Sequence, residues 1–274
     1  MSTTRIVVPS DFQEASARAL DQAVALSTLL ERPITLLHIA DSESKAAAAE
    51  EKAKAVCAEL RRSRDLEIDY AVEIGDLEDD LAGLVHGLNA QFAVIGSYGV
   101  RGLAQHLFGA RMLRVLKNLR VPAVAVQSDT PVTDGFRKIL VPVDDIAPFD
   151  QKVKSVISFA KRFGSEVMLY ALHHPMTDRD KVAAHVDIAR KLLTESAVTF
   201  RETEELPKVF SAGIAKQTLK FAETEGADLI AISMAEPPVN AKLNRAECEQ
   251  VINNKAQIAV LCTPENLDNS RFFS

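Results

Sequence analysis

The sequence predicts an α/β fold of two tandem, doubly wound, Rossmann-like parallel-sheet domains. Three observations carry that prediction. Short apolar runs alternate with amphipathic stretches through the first half, and the runs return in the second half at a nearly constant offset. Between an apolar run and an amphipathic stretch lies Gly96-Ser97-Tyr98-Gly99-Val100-Arg101-Gly102, continuing to Gly109-Ala110.

Residues 5–9 form the first apolar run, closed by Pro9-Ser10-Asp11, after which Ala15, Leu20, Ala23, Val24, Leu26 and Leu30 recur at helical spacing. Ile34 to Ile39 predicts a second strand, and residues 43–62, rich in Ala, Glu, Lys and Arg, a mostly exposed second helix. Glu67 to Ile74 alternates as a half-buried strand does, Gly75-Asp76 turns, and residues 77–89 are amphipathic. Phe92 to Ile95 is a wholly apolar strand feeding the glycine loop, Ala110 to Leu119 a helix, and Ala123 to Gln127 the last strand. Strands and helices alternating in this way predict a parallel sheet with right-handed crossovers.

Ser128 to Gly135 is polar and turn-rich, which places the boundary between domains 1–130 and 131–274. The pattern then restarts. Arg5-Ile6-Val7-Val8-Pro9-Ser10-Asp11 aligns with Lys138-Ile139-Leu140-Val141-Pro142-Val143-Asp144 at an offset of 133, Phe92–Ile95 with Leu229–Ile232 at 137, and Ala123–Val126 with Ala259–Cys262 at 136. Three strands in register indicate duplication, with a period far above the 20–50 residues of a solenoid. The halves differ where the glycines fall: Gly96-Ser97-Tyr98-Gly99 is answered by Ser233-Met234-Ala235-Glu236 and then Pro237-Pro238. Prolines lack N–H donors and Glu236 repels an anion, so the second loop is degenerate.

Composition bounds the function. The chain is 47% hydrophobic and 26% charged, with no apolar stretch near the roughly 20 residues that cross a bilayer, which excludes a membrane protein. Met1 to Arg5 runs straight into Ile6-Val7-Val8 without the features of a secretory signal, so a cytoplasmic location is expected. A net charge of -6 argues against nucleic-acid binding, which needs a basic face. Cys57, Cys248 and Cys262 form neither a disulfide framework nor a CxxC pair, and the six histidines have no metal-ligand spacing, so no metal site is expected. No Gly-x-Ser-x-Gly elbow occurs and no P-loop lysine follows the glycines, so no catalytic residue is assigned.

Taken alone, the glycine loop is either a phosphate cradle or a tight strand-to-helix turn. Asp11 likewise has two readings: a ligand-facing carboxylate at a strand's C-terminal end, or the first residue of an Asp11-x-x-Glu14 capping box. The strand ending Val8-Pro9-Ser10-Asp11-Phe12, the strand with Leu37-His38-Ile39, the pattern Gly96-x-x-Gly99-(nine residues)-Gly109 and the final Val121-Pro122-Ala123-Val124 strand together resemble the universal stress protein family. The likeness is close over 1–127 and loose over 137–263, and the tandem arrangement resembles the family's two-domain members.

That resemblance implies an adenine nucleotide alpha hydrolase-like fold and a stress-response or regulatory role built on ATP, with Mg entering only through the bound nucleotide. Asp11, with Pro9 and Ser10 beside it, would face the adenine, and Ile39 would line the base pocket. Gly96, Ser97, Gly99 and Gly109 would hold ribose and phosphates. Ala110 stands where the family has Ser or Thr, a missing charge-assisted hydrogen bond worth about 1.5–3 kcal/mol, so ATP binding is expected to be weakened. Arg101 and Arg111 are either substitute phosphate ligands or solvated surface arginines. The alternatives are a nucleotide-independent interaction module and a slow ATPase on the same scaffold. Family domains dimerise through their last strands, so Ala123–Gln127 and Ala259–Thr263 are expected to close an internal pseudo-dimer; homo-oligomers or protein partners are also expected.

Overall fold

The apolar runs form strands and the amphipathic stretches helices in a computed structural model that describes residues 4–97, 105–173, 177–206, 213–235 and 245–268, with residues 105–110 and 245 through their backbone alone. The chain divides into two compact units, residues 1–135 with 266–274, and residues 136–265.

The first unit runs β1 (Arg5–Pro9), α1 (Glu14–Leu30), β2 (Ile34–Ala40), α2 (Glu43–Arg64), β3 (Ile68–Ile74), α3 (Leu77–Gly87), β4 (Ala90–Ser97), α4 (Gln105–Asn118) and β5 (Ala123–Gln127). Its strands are parallel in the order β3-β2-β1-β4-β5. The order reverses between β1 and β4, and the crevice at the C-terminal ends of those strands is where such sheets bind ligands. β4 is buried at every position, as an apolar run covered on both faces must be. Against the sheet, α1 sets Leu26 and three alanines at helical spacing, Ala15, Ala19 and Ala23, whose small side chains let the backbone come close. By contrast α2 buries only Ala49, Ala53 and Cys57, one narrow stripe on an otherwise charged helix. β1 is tied to β2 and β3 by Arg5, whose guanidinium donates to Thr35 Oγ1 and Asp69 Oδ2, each at 2.6 Å.

One boundary differs from the sequence expectation. α4 begins at Gln105 instead of Ala110, so Gly109 lies inside the helix and not in the loop. A helical glycine costs about 0.5–1 kcal/mol. That is little against the burial of Leu113, Val115, Leu116 and Leu119 at the far end of the segment.

The second unit repeats the plan: β6 (Lys138–Val143), α5 (Phe149–Phe163), β7 (Glu166–Leu172), α6 (Arg179–Glu195), β8 (Phe200–Glu205), α7 (Ile214–Glu225), β9 (Leu229–Ser233), α8 (Arg245–Ile252) and β10 (Ala259–Thr263). The order β10-β9-β6-β7-β8 is again parallel, with the corresponding switch between β6 and β9. Asp228 ties β6 down by accepting from the N–H groups of Arg137 and Lys138 at 2.7 and 3.0 Å. Among the described residues no helix is long and apolar enough to cross a membrane.

Candidate functional site

The first unit has a cleft of about 110 Å³ at the switch point. Strand ends supply Pro9, Leu37, Ile39, Ile95 and Gly96, the turn after β1 supplies Ser10 and Asp11, and Leu77, Leu81 and Met112 close it from α3 and α4. The register explains the convergence: Pro9 pairs with Leu37 across β1 and β2, so the predicted residues on both strands reach the same end of the sheet. Five sequence-predicted residues, Pro9, Ser10, Asp11, Ile39 and Gly96, therefore share one cleft.

The turn after β1 is built by side chains. Asp11 Oδ1 accepts from the Gln13 N–H at 3.0 Å and from the Ser16 hydroxyl at 2.7 Å, an Asx turn that lets the chain leave the strand. Ser10 Oγ accepts from the Phe12 N–H at 3.1 Å. Phe12 takes a φ of 61°, rare for a bulky residue, and its ring lies 5.1 Å from that of His38. His38 in turn bonds through Nδ1 to the Ser10 carbonyl oxygen at 2.7 Å. The capping box expected at Asp11 and Glu14 is displaced by two residues: the N-cap is Gln13, and Ser16 Oγ accepts from its N–H at 3.1 Å. Positive φ at Phe12 delays the helix, which leaves Asp11 outside it, exposed at the cleft.

Gly96 has a packing reason of its own. A Cβ there would lie 2.3 Å from Ala15 O, 2.4 Å from Ala15 C and 2.7 Å from Ser16 N. β4 can approach the first turn of α1 only because this residue has no side chain. Next to it, Ser97 is buried, and its hydroxyl has no hydrogen-bond partner among the described residues.

The remaining predicted residues divide. Gly99 and Arg101 lie outside the described residues, and Gly109 and Ala110 are described only as helical backbone. Arg111 is exposed and its Nε pairs with Glu78, whose other oxygen takes Arg114 at 2.8 Å. Sequence reasoning did not single out Ser16, Leu77, Leu81 and Met112. The apolar spacing of Leu77 and Leu81 on α3 was the available signal.

In the second unit the same turn recurs with a different outcome. Asp144 Oδ1 accepts from the Ile146 N–H at 3.1 Å, reproducing the Asx turn at Asp11. Asp144 is only 8% exposed, however, and Lys152, fully buried, brings Nζ to 2.5 Å from Asp144 Oδ2 and 2.8 Å from the Pro142 carbonyl oxygen. That ammonium also sits 4.6 Å from the Phe149 ring centre. Ala19 occupies the position of Lys152 in the first unit, so the lysine that pairs with the turn carboxylate of the second unit has no counterpart there.

Residues 2–127 match the model of the universal stress protein family. No curated protein sequence matches the chain. Among solved structures, a universal stress protein from Archaeoglobus fulgidus DSM 4304 is 18% identical with a TM-score of 0.74, covering 97% of this chain and 100% of its own. A functionally unknown protein from Pseudomonas aeruginosa PAO1 is 14% identical with a TM-score of 0.65, covering 97% and 94%. A universal stress protein in complex with cAMP is 18% identical with a TM-score of 0.39 and covers 47% of this chain and 100% of its own.

Proposed function

Residues 2–127 belong to the universal stress protein family, and from that premise we propose that the first unit binds an adenine nucleotide, ATP by the family's habit, as a regulatory ligand. The observation that carries the reading is the cleft at the β1/β4 switch point, where one carboxylate, at Asp11, stands beside apolar walls. A purine is flat and largely apolar, with an exocyclic amino group that donates hydrogen bonds. Leu37, Ile39, Ile95 and Met112 suit its faces, and the Asp11 carboxylate suits its amino donor.

On the sugar side we assign Gly96, which lines the cleft, and the neighbouring Ser97, whose buried hydroxyl has no hydrogen-bond partner among the described residues. Gly99, Gly109 and their neighbours are proposed for the phosphates, and any Mg would arrive with them. The bound nucleotide would supply a conformational signal and the chain's residues only its recognition. Arg111 contributes to phosphate binding only by leaving Glu78. The missing hydroxyl at Ala110 lowers ATP affinity roughly ten- to a hundredfold against a Ser or Thr. Ala110→Ser tests this: isothermal titration with ATP should show that gain, with little change for adenosine. Unchanged ATP affinity would remove position 110 from the phosphate site. Absence of heat with ATP, ADP and AMP at millimolar concentration would leave the interaction-module reading in its place.

A further inference from the structure

The second unit has kept the pocket while changing its chemistry. A cavity of about 40 Å³ lies at the C-terminal ends of β6, β7 and β9. Its walls occupy the first unit's positions: Pro142 for Pro9, Asp144 for Asp11, Leu172 for Ile39, Ile232 for Ile95, Ser233 for Gly96. The strand pairing agrees, since Pro142 is opposite Tyr170 as Pro9 is opposite Leu37.

Four changes bear on what the pocket can hold. Val143 replaces Ser10, and the walls are dominated by aliphatic side chains. The Asp144 carboxylate is already paired with Lys152 and with the Ile146 N–H. Glu247 stands where the first unit has Arg111, and its Oε1 accepts from the Ile214 N–H at 3.0 Å, so a carboxylate of the chain itself occupies the start of α7. Gly213 makes room for it, since a Cβ there would lie 2.6 Å from that oxygen. Finally, Ser233 is 8% exposed and lines the cavity, and its hydroxyl has no hydrogen-bond partner among the described residues.

From these observations we infer that the second unit binds a small neutral molecule, largely aliphatic and carrying one hydrogen-bonding group that meets Ser233 Oγ. Anions are disfavoured by Glu247, and a cation would trade its hydration for mostly aliphatic walls, with the Asp144 carboxylate already held by Lys152. The volume admits roughly three water-sized spheres, which sets the ligand at about four non-hydrogen atoms. A short-chain alcohol is the simplest member of that class. Binding of this kind is independent of whether the first unit takes a nucleotide.

The test uses the full chain, isotope-labelled at Ile and Leu methyl groups, titrated separately with 1-propanol, propionate and propylammonium. The expected result is saturable shifts at Ile232 and Leu172 with 1-propanol alone, with an apparent Kd of about 0.1–10 mM, the range open to so small a ligand. Ser233→Ala should weaken it about 3- to 10-fold, and Thr218→Leu, which fills the cavity, should abolish it while a thermal melt confirms folding. Linear, non-saturating shifts that are equal for all three probes would make the cavity a solvent-filled void and overturn the proposal. Preferential binding of either ion would overturn its neutral class.

Discussion

Replacing Gly96 by alanine should disturb the first unit more than the size of a methyl group suggests. The new Cβ would lie 2.3–2.7 Å from three backbone atoms of Ala15 and Ser16, whereas carbon contacts settle near 3.5–4.0 Å. Relief requires β4 and the first turn of α1 to separate by roughly 1 Å, and neither is a flexible side-chain tip. β4 is buried throughout and holds β1 on one side and β5 on the other, so the strain has no easy outlet. Overpacking of this kind costs about 1–3 kcal/mol, and contact with backbone puts this case near the upper end. For a unit of this size that lowers the melting temperature by about 6–12 °C. The displaced turn carries Ser16, and through it Asp11, so nucleotide affinity should fall with stability. Urea denaturation of Gly96→Ala followed by circular dichroism measures the first effect and titration calorimetry the second. A loss below about 0.5 kcal/mol, the ordinary scatter of surface substitutions, would refute the close-approach explanation for this glycine. Ser233→Gly, at the corresponding site of the second unit, is the control and should cost no more than the roughly 0.5–1 kcal/mol of a glycine in a strand.

Lys152→Met should cost about 3–5 kcal/mol, because it leaves the Asp144 carboxylate buried without its cation; adding Asp144→Asn should recover much of that, as a double-mutant cycle in urea would show. Burial pushes the thiols of Cys57 and Cys262 above their ordinary range, so neither carries thiolate at neutral pH; the native chain should expose at most one cysteine to a thiol reagent and the denatured chain all three. Burial, partly offset by the N–H groups of Arg137 and Lys138, raises the Asp228 carboxyl above 3.8. Its contribution to stability is thus fully present below that value and lost as pH rises through the shifted one; carbon-detected NMR of the carboxyl should titrate above 3.8.

The strands were legible because parallel strands covered on both faces are written as unbroken apolar runs, as at Ile6–Val8 and Phe92–Ile95. The cleft's strand-borne residues followed from them. What escaped was set by backbone geometry or by distance in sequence. The helix cap shifted because Phe12 adopts positive φ, which no pattern at Asp11-Phe12-Gln13-Glu14 announces. Gly109 suggested a helix boundary, yet the backbone of α4 continues through it. Lys152 carried a signal that went unused: it falls between Phe149 and Val156 on the apolar stripe of α5, where a lysine must find a buried partner. The loop after Ser97 lies outside the described residues, so its two readings are separated only by binding.

The most direct measurement is therefore the stoichiometry of ATP on the full chain by titration calorimetry, repeated on Asp11→Ala and on Asp144→Ala. One site per chain, weakened by the first substitution and unaffected by the second, is the predicted result. Two equal sites, or a single site insensitive to Asp11, would contradict the assignment of the nucleotide to the first unit.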